Sequence, residues 1–264
     1  MSGEQQPAVS SVEAQAGSRP GSLWWGLVAI VALVALLPAR ATAQFTSSLG
    51  GNFNNPGSAL LGTMIANRML ADAARKPSSP APPGTPGKRS PSMPPARLTF
   101  RPVAKNLMAK ELAETLVTNA DARQQLARAF EEYLRNFDEQ ARRDREPSND
   151  ISRAAAYFVM VNYYAATGRE PTDAQADGAQ ATFRTGLTGN AEFGRMNDRD
   201  RQRLYESLVI LGSLPLAGVV QADQDKDKEQ EKMFREFARE LIRTLLGVPV
   251  EKIRLTPTGF TIED

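Results

Sequence analysis

Apolar residues alternate with polar ones at helical spacing along most of this chain, but not between Ala154 and Ala166. That stretch reads Ala-Ala-Ala-Tyr-Phe-Val-Met-Val-Asn-Tyr-Tyr-Ala-Ala, without a charge, a glycine or a proline. A helix that is apolar on every side is either wrapped by other helices or inserted in lipid. Thirteen residues rise only about 20 Å, short of the roughly 30 Å of a bilayer core. The stretch therefore predicts the central helix of a soluble helical domain, capped by Asp150 after the break Pro147-Ser148-Asn149 and stopped at Gly168.

The flanking pattern supplies the helices that wrap it. Pro102 suits a first turn, and Val103, Leu107, Met108, Leu112 and Leu116 mark the inward face of a helix to about Val117. Asn119 caps a second helix with Leu126, Phe130, Tyr133, Leu134 and Phe137 inward. Its opposite stripe is charged: Arg128, Glu131, Glu132, Arg135 and Arg142. Thr172 and Gln175 form a capping box for a helix from Asp173 to Leu187. Gly178 and Gly186 weaken that helix by about 1 kcal/mol each relative to Ala. Gly189 to Met196 reads as a loop or single turn. Asn197 caps a long helix through Leu204, Leu208, Leu211 and Leu214, which Pro215 is expected to kink or split. A charged bend from Asp223 to Glu231 leads to a last helix with Phe234, Phe237, Leu241 and Leu245 inward, ended by Gly247. In the tail, two short β-type runs flank Thr256-Pro257-Thr258-Gly259. They predict a small hairpin that sets Leu255, Phe260 and Ile262 on the helices. The fold class is all-α: one domain of five or six helices, 98–264, with a short C-terminal β hook.

Residues 1–97 follow another pattern. Leu23 to Leu37 is an unbroken apolar run behind Arg19, closed by Pro38 and followed by Ala41-Thr42-Ala43. Small residues at Ala41 and Ala43 match a signal-peptidase site with cleavage before Gln44, so 1–43 reads as a signal peptide. An uncleaved membrane anchor is the alternative. Residues 44–76 read as a flexible segment holding a short amphipathic helix, Ser58 to Arg75, with Leu60, Leu61, Met64, Ile65 and Met69 on one side. Pro77 to Pro95 holds eight prolines in nineteen residues. Proline removes backbone donors and holds the chain extended, so 77–97 reads as a disordered, semi-rigid linker.

Charge sharpens this division. The net charge is +2, yet Ala73 to Arg101 carries six basic and no acidic residues, whereas Pro102 to Asp264 carries 23 basic and 27 acidic ones. The basic character belongs to the linker, which argues against a nucleic-acid-binding face on the domain. Cysteine and histidine are both absent, which removes thiol chemistry and the commonest general base and metal ligand.

Two features carry a family resemblance: Asp150…Ala-Ala-Tyr-Phe-Val…Asn-Tyr-Tyr-Ala-Ala-Thr-Gly168 and the closing Leu255-Thr-Pro-Thr-Gly-Phe260. Over about Phe100 to Phe260 the chain resembles a family of exported bacterial helical proteins whose function is uncharacterised. That family often has Trp where Tyr157 to Tyr164 supply Phe and Tyr. The resemblance implies an exported helical domain and transfers no active site.

Candidate chemistry is sparse. Asp223, Asp225 and Asp227 have the opening rhythm of a calcium loop, but Lys228 stands at its glycine position and Phe234 at its bidentate Glu position. No metal site and no cofactor are expected. No nucleophile elbow, Walker or dinucleotide glycine pattern occurs, and Gly186-Leu187-Thr188-Gly189 reads as a loop, not a phosphate cradle. A carboxylate pair is the one catalytic arrangement left open, as in cell-wall glycoside cleavage. Each Asp and Glu of the domain, however, has polar neighbours at helical spacing, so none is expected in an apolar setting that raises its pKa. Asn162 is the most informative polar residue. On the face of Phe158 and Ala165 it ties the central helix to a neighbour's backbone, or lines a ligand cleft with Tyr157 and Tyr163 or Tyr164. The reading is an exported, non-catalytic interaction or structural module with an unknown protein or cell-wall partner. Membrane contact comes only through an uncleaved N-terminus.

Overall fold

The computed structural model describes residues 70–72, 74 and 97–263. The signal segment with Ala41, Ala43 and Gln44, the linker up to residue 96 and most of the Ser58–Arg75 helix lie outside the described residues. Of that helix, Leu70, Ala71 and Ala74 are helical and buried, and Leu70 and Ala74 join the core.

Among the described residues the domain is helical with one terminal hairpin. Its elements are α1 (Leu107–Leu116), α2 (Ala120–Arg143), α3 (Ile151–Thr167), α4 (Asp173–Thr188), the five-residue α5 (Ala191–Arg195), α6 (Asp198–Gln224), α7 (Lys228–Leu246), a single 3-10 turn (Val250–Lys252), β1 (Ile253–Thr256) and β2 (Gly259–Ile262). The start signals read from sequence act as side-chain caps. Asn119, Asp150, Thr172 and Asn197 each accept backbone N–H groups of the helix they open; Asp227, expected inside a charged bend, does the same for α7. Gly168 and Gly247 take left-handed conformations, φ 70° and 71°, and end α3 and α7. The loop expected at Gly186–Gly189 is instead the end of α4, which runs to Thr188, and within the loop or single turn expected from Gly189 to Met196 lies the short α5, capped by Asn190.

The charge-free α3 is wrapped as its composition requires: only Tyr164 and Thr167 reach partial exposure. It packs most extensively on α6, with α7 and α4 on its other sides. α6 is long and apolar enough to cross a membrane by length and composition. Yet 89% of its most apolar window is buried within the domain, so it acts as a second core helix. Close approach is built from missing side chains. A Cβ on Gly212 of α6 would stand 3.1 Å from the Tyr157 ring, and one on Gly218 would stand 2.3 Å from the Phe234 ring of α7.

Two expectations need correction. Of the kink or split expected at Pro215, the split does not occur: α6 runs unbroken from Asp198 to Gln224. Proline withholds its N–H from the carbonyl four residues earlier, here Leu211. Asn162 of α3 fills that gap: its side-chain NH2 donates to Leu211 O at 3.3 Å and to Phe158 O at 2.9 Å. Nor does α1 begin at Pro102. Residues 101–106 form an irregular, non-helical strap, and Val103, expected inward, is 52% exposed. The strap's polar backbone is held from α6 instead of by a helical turn. Val103 N–H donates to Gln202 Oε1 at 2.8 Å, and Gln202 Nε2 donates to Ala104 O at 2.7 Å.

The hairpin pairs Ile253 with Ile262 and Leu255 with Phe260. It lies on α4, where Gly178 meets the turn: a Cβ there would stand 2.2 Å from Gly259 N. The glycine that weakens α4 in isolation is what lets the hairpin backbone dock. Phe260 packs on Phe183 with ring centroids 5.6 Å apart.

Candidate functional site

The residues singled out from sequence sit inside the helix packing. Asn162 is fully buried; its Oδ1 has no partner among the described residues. Both neighbours of its Nδ2 are carbonyl oxygens, so the amide can face them only with its NH2 group. Tyr157 shares a hydrogen bond of 2.9 Å with Ser213 Oγ and packs its ring 4.8 Å from that of Phe137. Asn162 and Tyr157 thus both reach α6, two residues apart at Leu211 and Ser213. Tyr164, seven residues after Tyr157 and so on the same helical face, is half-buried against the core. None of the three is on the lining of the polar cleft between the strap, α2 and α6.

The polar cavity lies elsewhere, between the strap, α2 and α6. It encloses about 110 Å³ and is lined by Phe100, Pro102, Ala104, Lys105 and Asn106 from the strap side, Leu134 and Asp138 of α2, Asn149, and Gln202, Tyr205 and Glu206 of α6. The first turns of α6 build one wall. Arg201 donates to Arg97 O at 2.6 Å and to Phe193 O at 3.0 Å. Gln202 holds the strap as described. Glu206 Oε2 accepts Met108 N–H at 2.7 Å, and its Oε1 accepts Gln202 Nε2–H at 2.7 Å. Asn106 stands before α1 in a left-handed conformation, φ 49°, without capping it. The carboxylate of Glu206 therefore does from another helix what a side-chain cap normally does within one, and its negative charge suits the positive end of α1.

Asp138 faces the same cleft under different constraints. One oxygen, Oδ1, accepts the Tyr205 hydroxyl at 2.5 Å. Among the described residues it forms no ion pair. Burial raises its carboxyl above the ordinary Asp value, outweighing the Tyr205 hydrogen bond and the positive Arg142 and Arg153. Burial likewise raises Glu206, against the bonds from Gln202, Met108 and Leu107, and the charge of Asp138 adds to the rise. This overturns the expectation that no carboxyl in the domain meets an apolar setting. Spacing along one helix reports the neighbours on that helix; the groups that bury Asp138 and Glu206 come from across the helix packing. Burial and the adjacent Asp138 hold Tyr205 well above its ordinary value, so it remains a donor.

Behind the cleft, Arg153 is buried with its guanidinium 5.2 Å from the Phe137 ring centroid and paired to Asp144 at 2.8 Å. Asp150 is 4% exposed and spends Oδ1 on the cap of α3. Among the described residues, no group of three or more His, Cys, Asp or Glu side chains is placed to hold a metal ion. Chemically the cleft offers one buried carboxylate whose oxygens are both engaged, Glu206, and one, Asp138, with an oxygen that has no partner among the described residues.

Comparison with curated proteins and with solved structures returned no match. A family described as a family of unknown function (DUF6683) matches residues 26–263, beginning inside the apolar N-terminal run and ending at the hairpin. With nearly the whole chain covered, including every helix described above, the protein belongs to that family.

Proposed function

We propose that the protein is a non-catalytic helical interaction module of a bacterium, exported by its N-terminal apolar segment. It works in the periplasm or beyond, at the end of a proline-rich linker. The reading is carried by how the domain uses its buried acids. Asp150 caps α3, Asp144 neutralises Arg153, and Glu206 caps α1 while holding the clamp of the strap. A general acid or nucleophile needs an oxygen facing substrate, and these oxygens face the fold. Export is supported by the run Leu23 to Leu37 ahead of Ala41-Thr42-Ala43. The absence of cysteine is compatible with an oxidising compartment.

One observation favours a second reading, a cell-wall hydrolase. Asp138 and Glu206 line a single cleft and both carboxyls are raised, as the acid of a carboxylate pair must be. Incubating the purified protein with peptidoglycan separates the readings. The module releases no soluble fragments; release that disappears in Asp138→Asn establishes the hydrolase instead. N-terminal sequencing of the protein recovered from cells tests export. A start at Gln44 agrees with a cleaved signal, and a chain that keeps Met1 identifies an anchored scaffold.

A further inference from the structure

We infer that the cleft under the 101–106 strap is a binding site for a single cationic head group, an alkylammonium or guanidinium. The inference rests on the interaction-module reading and names the chemistry of its partner. Four observations converge on it. Among the described residues, Asp138 is a half-buried carboxylate on the cleft with one oxygen bonded to Tyr205, the other without a partner, and no ion pair. Glu206 places a second carboxylate in the same wall, its oxygens taken by Met108 N–H and Gln202 Nε2–H, so it contributes acidic character and no free acceptor. Asn106 and Asn149 line the cleft with side-chain amides that make no hydrogen bond among the described residues. Each can turn its oxygen toward a donor. Both hold left-handed backbones, φ 49° and 63°, a conformation that places local strain at the cleft. Phe100 and Tyr205, edge to face at 5.3 Å, close the apolar side.

Size and charge narrow the occupant. About 110 Å³ is smaller than the roughly 150 Å³ cavity that admits benzene, so the cleft itself holds a head group while the rest of a larger ligand stays outside. A group with three to five N–H donors suits a wall of acceptors. A cation also relieves the charge that burial makes unfavourable at Asp138 and Glu206. Lys105, the one cation on the lining, sits exposed on the strap and pairs with neither acid among the described residues. It guards the mouth without filling it. A lysine side chain of a protein or peptide and a free small amine share this chemistry.

Ligand-observed NMR and calorimetry on the full chain test the site with three probes. These are N-acetyl-lysine methylamide, butylammonium, and the lysine probe acetylated on its side-chain nitrogen. The site predicts saturable binding of the first, at least tenfold weakened by Asp138→Asn and strengthened several-fold by Lys105→Glu. Glu236→Gln, on the exposed face of α7, leaves it unchanged. The neutral acetylated probe does not bind. Butylammonium binding as well as the lysine probe identifies a free amine as the natural occupant; weaker binding identifies a peptide side chain. Lys105→Glu changes only an exposed residue, so a poorly folded Asp138→Asn does not remove the test. No binding of either cation, equal binding of the neutral probe, or indifference to Lys105→Glu overturns the inference. Release of peptidoglycan fragments in the earlier assay instead overturns the module reading, whatever the amine result.

Discussion

Burial disfavours the charge of Asp138, and titration exposes this directly. A carboxyl raised in the folded state binds more protons folded than unfolded, so its ionisation lowers stability as pH rises. The loss is absent below the ordinary value of 3.8 and complete above the raised one. Asp138→Asn keeps an acceptor for the Tyr205 hydroxyl and removes the loss. Urea unfolding therefore shows wild type and variant alike in acid, with the variant gaining as pH approaches neutrality. A gap that is constant across pH, or of opposite sign, refutes the assignment. Asn162 makes the contrary case of a polar residue that the fold requires. Asn162→Ala strands Leu211 O and is expected to cost about 2 kcal/mol. Pro215→Ala restores a backbone donor to that carbonyl, so in the Asn162→Ala background it recovers about 1 kcal/mol. Simple additivity of the two changes in a double-mutant cycle means that Asn162 does not serve Pro215. Burial of Asn162 was legible from its face of the helix. Its partner was not, because the vacancy it fills lies on a helix 49 residues away in sequence.

At the level of elements, starts and stops were the most legible feature. Asn119, Asp150, Thr172, Asn197, Gly168 and Gly247 are local signals and act locally. Elements whose boundaries depend on another helix were misread. α1 begins five residues after Pro102 because Gln202 and Glu206 engage the strap's backbone from α6. Glycines show the same division. Gly178 reads as a weakness in α4, yet a Cβ there meets Gly259 N at 2.2 Å and Pro257 O at 2.7 Å. These are backbone atoms that cannot swing aside. Gly178→Ala is expected to cost about 2–3 kcal/mol and to strip hydrogen-exchange protection from the Ile253–Ile262 hairpin before the helices lose theirs. Gly189→Ala is the control. Its backbone is ordinary and a Cβ there comes no nearer than 3.9 Å to Thr185 O, so it is neutral or stabilises by about 0.5 kcal/mol. Equal effects of the two substitutions contradict the docking of the hairpin on α4.

For the whole molecule, the charge-free stretch Ala154–Ala166 announced a wrapped helix, and the hairpin announced itself through its turn. The cleft was silent in the sequence. Its acids are assembled from α2 and α6, and its strap was read as helix. What closes the domain is the row Arg201, Gln202 and Glu206 on the first turns of α6, which gathers the chain from Arg97 to Met108. The account therefore assigns Glu206 to the fold and leaves Asp138 free for a partner. Glu206→Gln tests this assignment most directly. It keeps the shape, but either way the amide turns, its NH2 faces a donor, Met108 N–H or Gln202 Nε2. The account predicts that the stranded donor outweighs the relief from removing a carboxylate that burial disfavours, a net fall of about 1–3 kcal/mol in unfolding free energy at neutral pH. A Glu206→Gln protein as stable as wild type, or more so, is the behaviour of a carboxylate held in place for a reaction and contradicts it.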